Sequence, residues 1–376
     1  LITEKPSPEA DSYAHVTTNC PNVIIEPNSQ FICWRASDLA HILPVGKVPP
    51  AILEEVVFKR GGAPRGEVIL APAIGEDTAV VDIGQEYLIA STDPITGATG
   101  KAGWLAVKVA LNDIGASGGE PVCVLVTLLL PEGASKESLR EIMDDIHAAC
   151  SEENVAVAGG HTEVTPGLDR PIMSVTALGR TRGRRVLRSS GCQAGDDIVV
   201  TKWAGMEGTA ILARDFRSQV SDFLTEEEIC EAEALLSKIS VVKEGAVAAE
   251  NGAHGSHDAT EGGVLGAIYE LCEASGLGAR VDADRIPVLP VTSKIAARTG
   301  IDPLKLVSSG CLVVSHPDGA KLCEVYRRSG INAEVVGKMT SGGREAYRGG
   351  RTFTLEAPKT DELWKAREVL ERFSAR

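Results

Sequence analysis

Five short acidic motifs, each beside glycine or at the end of an apolar run, constrain this chain most. They read Gly75-Glu76-Asp77-Thr78-Ala79, Ser91-Thr92-Asp93, Asn112-Asp113-Ile114-Gly115-Ala116, Gly159-Gly160-His161-Thr162-Glu163 and His257-Asp258-Ala259-Thr260-Glu261-Gly262-Gly263. Carboxylates where strands stop and backbone can approach closely suit a Mg2+–polyphosphate site. The metal offsets their charge, and glycine N–H groups face the phosphate oxygens. One such motif carries little weight; five in one chain set an expectation of bound metal and phosphate.

Composition agrees with that expectation and excludes others. The 376 residues suffice for two domains, each with a sizeable core. Hydrophobic content of 43% and charged content of 24% are those of a soluble globular protein. With 38 basic against 52 acidic residues the net charge is -14, which argues against nucleic acid as a partner and leaves charge for bound cations to neutralise. No apolar run approaches the roughly 20 residues needed to span a bilayer. Nine cysteines without a C-x-x-C pair fit reduced thiols, hence a cytoplasmic protein, better than disulfides or structural zinc.

Residues 1–42 lack helical or strand periodicity and read as a poorly ordered leader or an artefact of the gene start. A regular body opens at Leu43-Pro44-Val45-Gly46-Lys47. Ala79–Asp82 and Tyr87–Ala90 flank a polar turn and predict a hairpin. Trp104–Ser117 predicts a buried helix, and Val122–Leu130 a buried strand. Lys136–Cys150 predicts a helix with Leu139, Ile142, Met143, Ile146 and Ala149 on one stripe. The strand Val155–Ala158 is expected to run into Gly159-Gly160. Ile172–Leu178 is a further strand, ending in the basic run Arg180–Arg185, read as a solvated linker or, more sharply, a phosphate contact. The alternation then repeats: strands at Asp197–Lys202 and Leu312–Ser315; helices from Gly208, Thr225, Gly263, Gly319 and Asp361. The fold class expected is α+β, with domains at 43–183 and 184–350 and a C-terminal strand and helix over 351–376.

Familiar nucleotide sites are absent. Gly97-Ala98-Thr99-Gly100-Lys101-Ala102 fails the P-loop spacing and its final hydroxyl, and no G-x-G-x-x-G opens a helix after a strand. Neither H-E-x-x-H nor G-x-S-x-G occurs. Among the acidic motifs, Asn112-Asp113 is the most telling, because an unpaired carboxylate in an otherwise apolar helix costs several kcal/mol and calls for a metal or a salt bridge. Asp93 before Pro94 could be turn chemistry, Glu76 and Asp77 a hairpin start, and Asp258, Thr260 and Glu261 a helix cap. A helix N-terminus is also a natural phosphate site.

The order and spacing of these motifs resemble the aminoimidazole ribonucleotide synthetase (PurM-like) superfamily, over roughly Leu43 to Lys338. That group includes the HypE hydrogenase maturation proteins, nearest in overall pattern, thiamine-monophosphate kinase and selenophosphate synthetase. Asp302-Pro303-Leu304-Lys305-Leu306-Val307-Ser308-Ser309-Gly310 is similar to the family's later D-P-L segment. The resemblance implies two α/β domains, a homodimer through N-terminal-domain strands near Val80 and Ile89, and ATP with Mg2+ in a cleft. It places Glu76, Asp77, Asp93 and Asp113 on the metals. Gly75, Asn112, Gly159, Gly160, Thr162, Asp258, Thr260, Glu261, Gly262 and Gly263 would lie around the nucleotide. The activity implied is phosphoryl transfer from ATP to a small or protein-borne acceptor or a carbonyl oxygen, with hydrogenase maturation as one setting and a maturation protein as one partner. A small-molecule kinase and a non-catalytic nucleotide-binding homologue are the alternatives.

Departures narrow this reading. HypE proper ends in a cysteine-bearing tail, whereas the last cysteine here is Cys323, so self-carried carbamoyl dehydration is not expected. Selenophosphate synthetase sets Cys or Sec just before a lysine in its glycine-rich loop; Lys47 is present here without an adjacent cysteine. Lys47 lies where relatives carry a loop that folds over ATP, and is read as catalytic or as an ordinary surface lysine. His161 replaces the usual acid. Imidazole is a poor Mg2+ ligand, so His161 is read as bonding phosphate or substrate, as a sign of another metal, or as structural.

Overall fold

The computed structural model describes residues 48–60, 62–95, 101–181 and 183–374. Lys47, the leader and Gly97–Gly100 therefore lie outside the described residues. Pro49–Arg376 forms one compact unit, opening with the short helix α1 (Pro50–Ile52). The fold is α+β, built on two sheets.

The first sheet holds β1 (Val68–Leu70), β2 (Ala79–Asp82), β3 (Tyr87–Ile95), β4 (Glu120–Leu130), β5 (Ala156–Val164) and β6 (Ile172–Arg180) in the order β1-β2-β3-β6-β4-β5. β2 and β3 pair antiparallel as the hairpin pattern predicts, Ala79 opposite Ala90 and Asp82 opposite Tyr87. Helices α2 (Ala102–Ala116) and α3 (Lys136–Glu152) follow the sequence expectations closely. Ile89, Val107, Leu111, Ile114, Val126, Leu128, Ile146 and Val175 form the core beneath them.

Two expectations need correction. β4 is not buried on both faces: Val124, Val126, Leu128 and Leu130 enter the core, while Val122 and Leu125 are exposed. An apolar run of this length fits either burial pattern, and only the one-sided helix cover decides it. The strand ending at Gly159-Gly160 also does not stop there. β5 continues through both glycines to Val164 as an exposed edge strand parallel to β4. Gly160, at φ +147, packs so tightly that a Cβ would lie 1.9 Å from the Val126 carbonyl oxygen.

The second sheet holds β7 (Asp197–Thr201), β8 (Gly255–Asp258), β9 (Gly278–Asp282), β10 (Leu312–His316), β11 (Ala333–Thr340), β12 (Arg344–Arg348) and β13 (Arg351–Thr354), ordered β13-β12-β9-β11-β7-β10-β8. Its flanking helices are α4 (Met206–Asp215), α5 (Arg217–Val220), α6 (Glu226–Ala234), α7 (Val242–Glu250), α8 (Gly263–Ser275), α9 (Pro290–Thr299), α10 (Gly319–Arg328) and α11 (Glu362–Ser374). Strand alternation divides β7 between two cores. Ile198 and Val200 pack with Val264, Ile268 and Leu271 of α8, whereas Val199 packs with Ala248 of α7 and Leu322 and Tyr326 of α10.

α2 and α7 join the two halves at a glycine crossing. A Cβ on Gly245 would stand 1.7 Å from the Gly115 carbonyl oxygen, so no larger residue fits as the helices lie. Beside it, the Asn112 amide donates to Ile239 O (2.8 Å) and accepts from Val241 N (2.9 Å). Ser256 Oγ donates to Ala116 O at 2.5 Å, tying β8 to the end of α2. No helix among the described residues is long and apolar enough to cross a membrane. The seven cysteines described are all free thiols.

Candidate metal and phosphate site

This seam sets the position of Asp113. α2 is buried along nearly its whole length, and Asp113 on its last turn has its carboxylate against the Ser91 hydroxyl of β3, which donates to it. Ser91 and Asp93 share one face of β3, being two residues apart, and the Ser91 hydroxyl also lies 3.5 Å from Asp93 Oδ2. From the other half, β8 ends in Asp258, which is 2% exposed and whose Oδ2 has no hydrogen-bond partner. Asp77 comes from the loop before β2. Asp77, Asp113 and Asp258 each bring a carboxylate oxygen to within 4.8 Å of the other two.

The loop carrying Asp77 is pinned to the second half at Gly75, Glu76 and Asp77, and to the end of α2 at Thr78. Gly75, at φ +77, packs where a Cβ would lie 2.8 Å from the Glu270 carbonyl oxygen of α8. Glu76 accepts from the Ser189 and Ser190 N–H groups at 3.2 and 2.8 Å. Both Glu76 oxygens are thus engaged in holding the loop. Asp77 Oδ2 stands 3.2 Å from His257 Nδ1, and Thr78 Oγ1 lies 3.0 Å from Ser117 Oγ.

Electrostatics mark the three aspartates as a strained group. Burial pushes the Asp113 carboxyl well above its ordinary range, and the nearby charges of Asp258, Asp77 and Asp93 push it further. Burial likewise raises Asp258 to about 7, with His257 pulling it down and Asp77 and Asp93 pushing it up. Burial alone would lower His257, but the charges of Asp77, Glu270 and Asp258 outweigh it and lift the imidazole to about 10. Carboxylates crowded without a cation hold protons instead.

The residues fit a hard divalent cation. All three donors are carboxylates, the ligand type favoured by Mg2+, Mn2+ and Ca2+. Oxygens around octahedral Mg2+ stand about 3.0 Å apart in neighbouring positions and roughly 4.2 Å apart in opposite ones, so the three would draw in by up to about 2 Å to share one ion. The unpartnered Asp258 oxygen is what a cation would satisfy. The three line a cavity of about 10 Å3, enough for one ion or water.

Other residues singled out in the sequence are engaged differently. Asn112 spends its amide on the α7 approach. Asp93 pairs with Val175, Val175 with Val126 and Val126 with Gly160. Three strand spacings, about 14 Å, therefore separate Asp93 from Gly160. Gly159, His161 and Thr162 share that exposed edge, and His161 Nε2 lies 3.1 Å from Glu163 Oε2. Thr260, Glu261, Gly262 and Gly263 form the turn into α8, where the Gly262 N–H donates to Asp361 Oδ2 at 2.8 Å. A Cβ on Gly263 would meet Leu304 O at 2.5 Å. Ser91, Ser189, His257 and Glu270 had no assigned role in the sequence reading. His257 and Ser91 sit inside motifs and could have been found as neighbours of Asp258 and Asp93; Ser189 and Glu270 carry no local signal.

The N-terminal domain of AIR synthase related protein matches residues 75–181 and its C-terminal domain residues 193–349. The chain belongs to the AIR synthase related protein family. Among its relatives is a Methanocaldococcus jannaschii protein named as a hydrogenase expression/formation protein. It is 28% identical over 308 residues, covering 78% of this chain and 88% of its own length. A selenide, water dikinase of Dechloromonas aromatica is 27% identical over 263 residues, 68% of this chain and 73% of its own. The hydrogenase maturation protein HypE crystallised in complex with ATP shares the fold. It has a TM-score of 0.60 at 21% identity, covering 86% of this chain and 98% of that one.

Proposed function

We propose that this protein is an ATP-dependent enzyme that transfers a phosphoryl group from Mg-ATP to an acceptor, either a small molecule or a group carried on a protein. The observation that carries the reading is the meeting of Asp77, Asp113 and Asp258 from both halves of the fold, with a buried Asp258 oxygen left unpartnered. Asp77, Asp113 and Asp258 would hold the cation. Asp93, beside Asp113, completes the acidic wall. A bound Mg2+ neutralises phosphate charge and orients the triphosphate for in-line transfer. The protein's own part is to keep the carboxylates pre-aimed, so that little reorganisation accompanies charge transfer.

The relatives support this class of chemistry: one is a dikinase acting on selenide and water, and another is a HypE crystallised with ATP. Hydrogenase maturation is the context suggested by the M. jannaschii relative. A homodimer belongs to the same proposal, but not through the side chains of Val80 and Ile89 as expected, because both are fully buried within the chain's own fold. Among the described residues the edge strand β5 has no neighbour on its outer side, and exposed Val122, Leu125, Val157 and Val164 lie on it and on β4. An open edge with an apolar surface is a pairing template.

Phosphorus NMR of Mg-ATP incubated with the protein and a panel of oxygen, sulfur and selenium acceptors tests the reading. Acceptor-dependent loss of ATP, abolished in Asp113→Asn, is the expected result. No ATP binding in the presence of Mg2+ would refute it.

A further inference from the structure

One buried group next to the aspartates has no part in holding a cation. His257 is 4% exposed, and both of its ring nitrogens face carboxylates: Nδ1 stands 3.2 Å from Asp77 Oδ2, and Nε2 stands 2.9 Å from Glu270 Oε2. Ser189 Oγ, also 3.2 Å from Nδ1, closes the remaining side. Glu270 lies on α8 and His257 on β8, elements packed in the core of the second sheet, whereas Asp77 sits on a loop with no helix or strand of its own. Asp77 is also the exposed one of the three aspartates, its side chain 44% accessible, whereas Asp113 and Asp258 are buried. Asp113 and Asp258 are held by rigid elements. Asp77 needs an external hold.

We propose that Glu270 and His257 form a positioning relay that fixes the Asp77 carboxylate for the cation, making one of the first half's two metal ligands dependent on a helix of the second half. The inference rests on the metal reading above. The rest of the loop is anchored at the same helix and turn: Gly75 lies on the Glu270 carbonyl and Glu76 on the Ser189 and Ser190 N–H groups. With its main chain already placed, the rotamer of Asp77 is the remaining freedom, and the imidazole removes it. Glu270 in turn holds the ring, so that His257 cannot swing away when a cation draws on Asp77. Outer groups that orient a ligand typically contribute 10–100-fold to metal affinity.

The test is Mn2+ binding to the full chain, followed by electron paramagnetic resonance, alongside thermal melting without metal. His257→Ala should weaken Mn2+ binding by about 10–100-fold, and His257→Gln, whose amide still donates one hydrogen bond, should recover part of that loss. Glu270→Gln should weaken it by a smaller factor while leaving the fold intact, and decides the matter if His257→Ala does not fold. A purely structural role would lower the melting temperature yet leave the Mn2+ affinity of the folded protein unchanged; that result overturns the relay. If the wild-type chain itself binds no Mn2+, the metal reading fails, which is a distinguishable outcome.

Discussion

The seam between the halves gives a prediction that reaches the site without touching it. In Gly245→Ala the new methyl would start 1.7 Å from the Gly115 carbonyl oxygen. Ordinary contact needs about 3.2 Å, so α2 and α7 must part by roughly 1.5 Å, and overpacking of this kind costs about 1–3 kcal/mol. That movement also strains the Asn112 bonds to Ile239 and Val241, 2.8 and 2.9 Å long and fully buried. Losing buried hydrogen bonds adds about 1–2 kcal/mol, for a total of roughly 2–5 kcal/mol. Asp113 stands two residues before Gly115 on the same helix, so the shift should carry its carboxylate away from Asp258. Urea denaturation should show the stability loss, and Mn2+ titration of the folded variant a weaker site. Gly66→Ala, whose Cβ would meet nothing within 4 Å, serves as the control and should change neither. A Gly245→Ala protein with wild-type stability and wild-type Mn2+ affinity would refute the view that this crossing sets the position of Asp113.

Other outcomes follow from the same structure. Burial raises Glu207 from 4.5 to about 7, with Ser309 pulling it down and Glu261 and Asp361 pushing it up. The folded state then holds this proton more tightly than the unfolded chain, so stability falls by about 3 kcal/mol as pH rises from 4.5 through 7. Glu207→Gln removes that loss: its denaturation curve should match wild type near pH 4.5 and be more stable by up to about 3 kcal/mol at pH 8, and pH-independent differences would contradict the assignment. Static light scattering should report about 79 kDa, twice the 39.5 kDa chain, and a clean monomer would remove the β5 edge as an interface. Lys47 lies outside the described residues, and on the resemblance alone Lys47→Ala should lower ATP turnover by roughly tenfold to a thousandfold with the melting temperature unchanged; full activity would return Lys47 to an ordinary surface role.

The α+β class is legible in the alternation of elements, and the hairpin, α2 and α3 in apolar periodicity, because these are local patterns. What a motif does with its neighbours is not local. Glu76 and Asp77 are adjacent and chemically alike, yet one grips backbone N–H groups of the other half and the other joins Asp113 and Asp258. Asn112 and Asp113 differ by about 100° around one helix, and only the docking of α7 decides which side is the seam. Glycines carry the same ambiguity. The resemblance sets Gly159-Gly160 near the nucleotide, while the structure shows Gly160 admitting the backbone of β4. His257 and Glu270 come together across thirteen residues because β8 and α8 pack face to face, a contact no sequence spacing announces.

The central claim, that Asp77, Asp113 and Asp258 hold the cation that carries ATP, is tested most directly by anomalous diffraction from crystals grown with Mn2+ and a non-hydrolysable ATP analogue. The expected result is a Mn2+ peak within about 2.2 Å of an oxygen from each of the three aspartates, with analogue phosphates on its open side. A peak bound by other residues, or an ordered analogue with no cation among these three carboxylates, would contradict it.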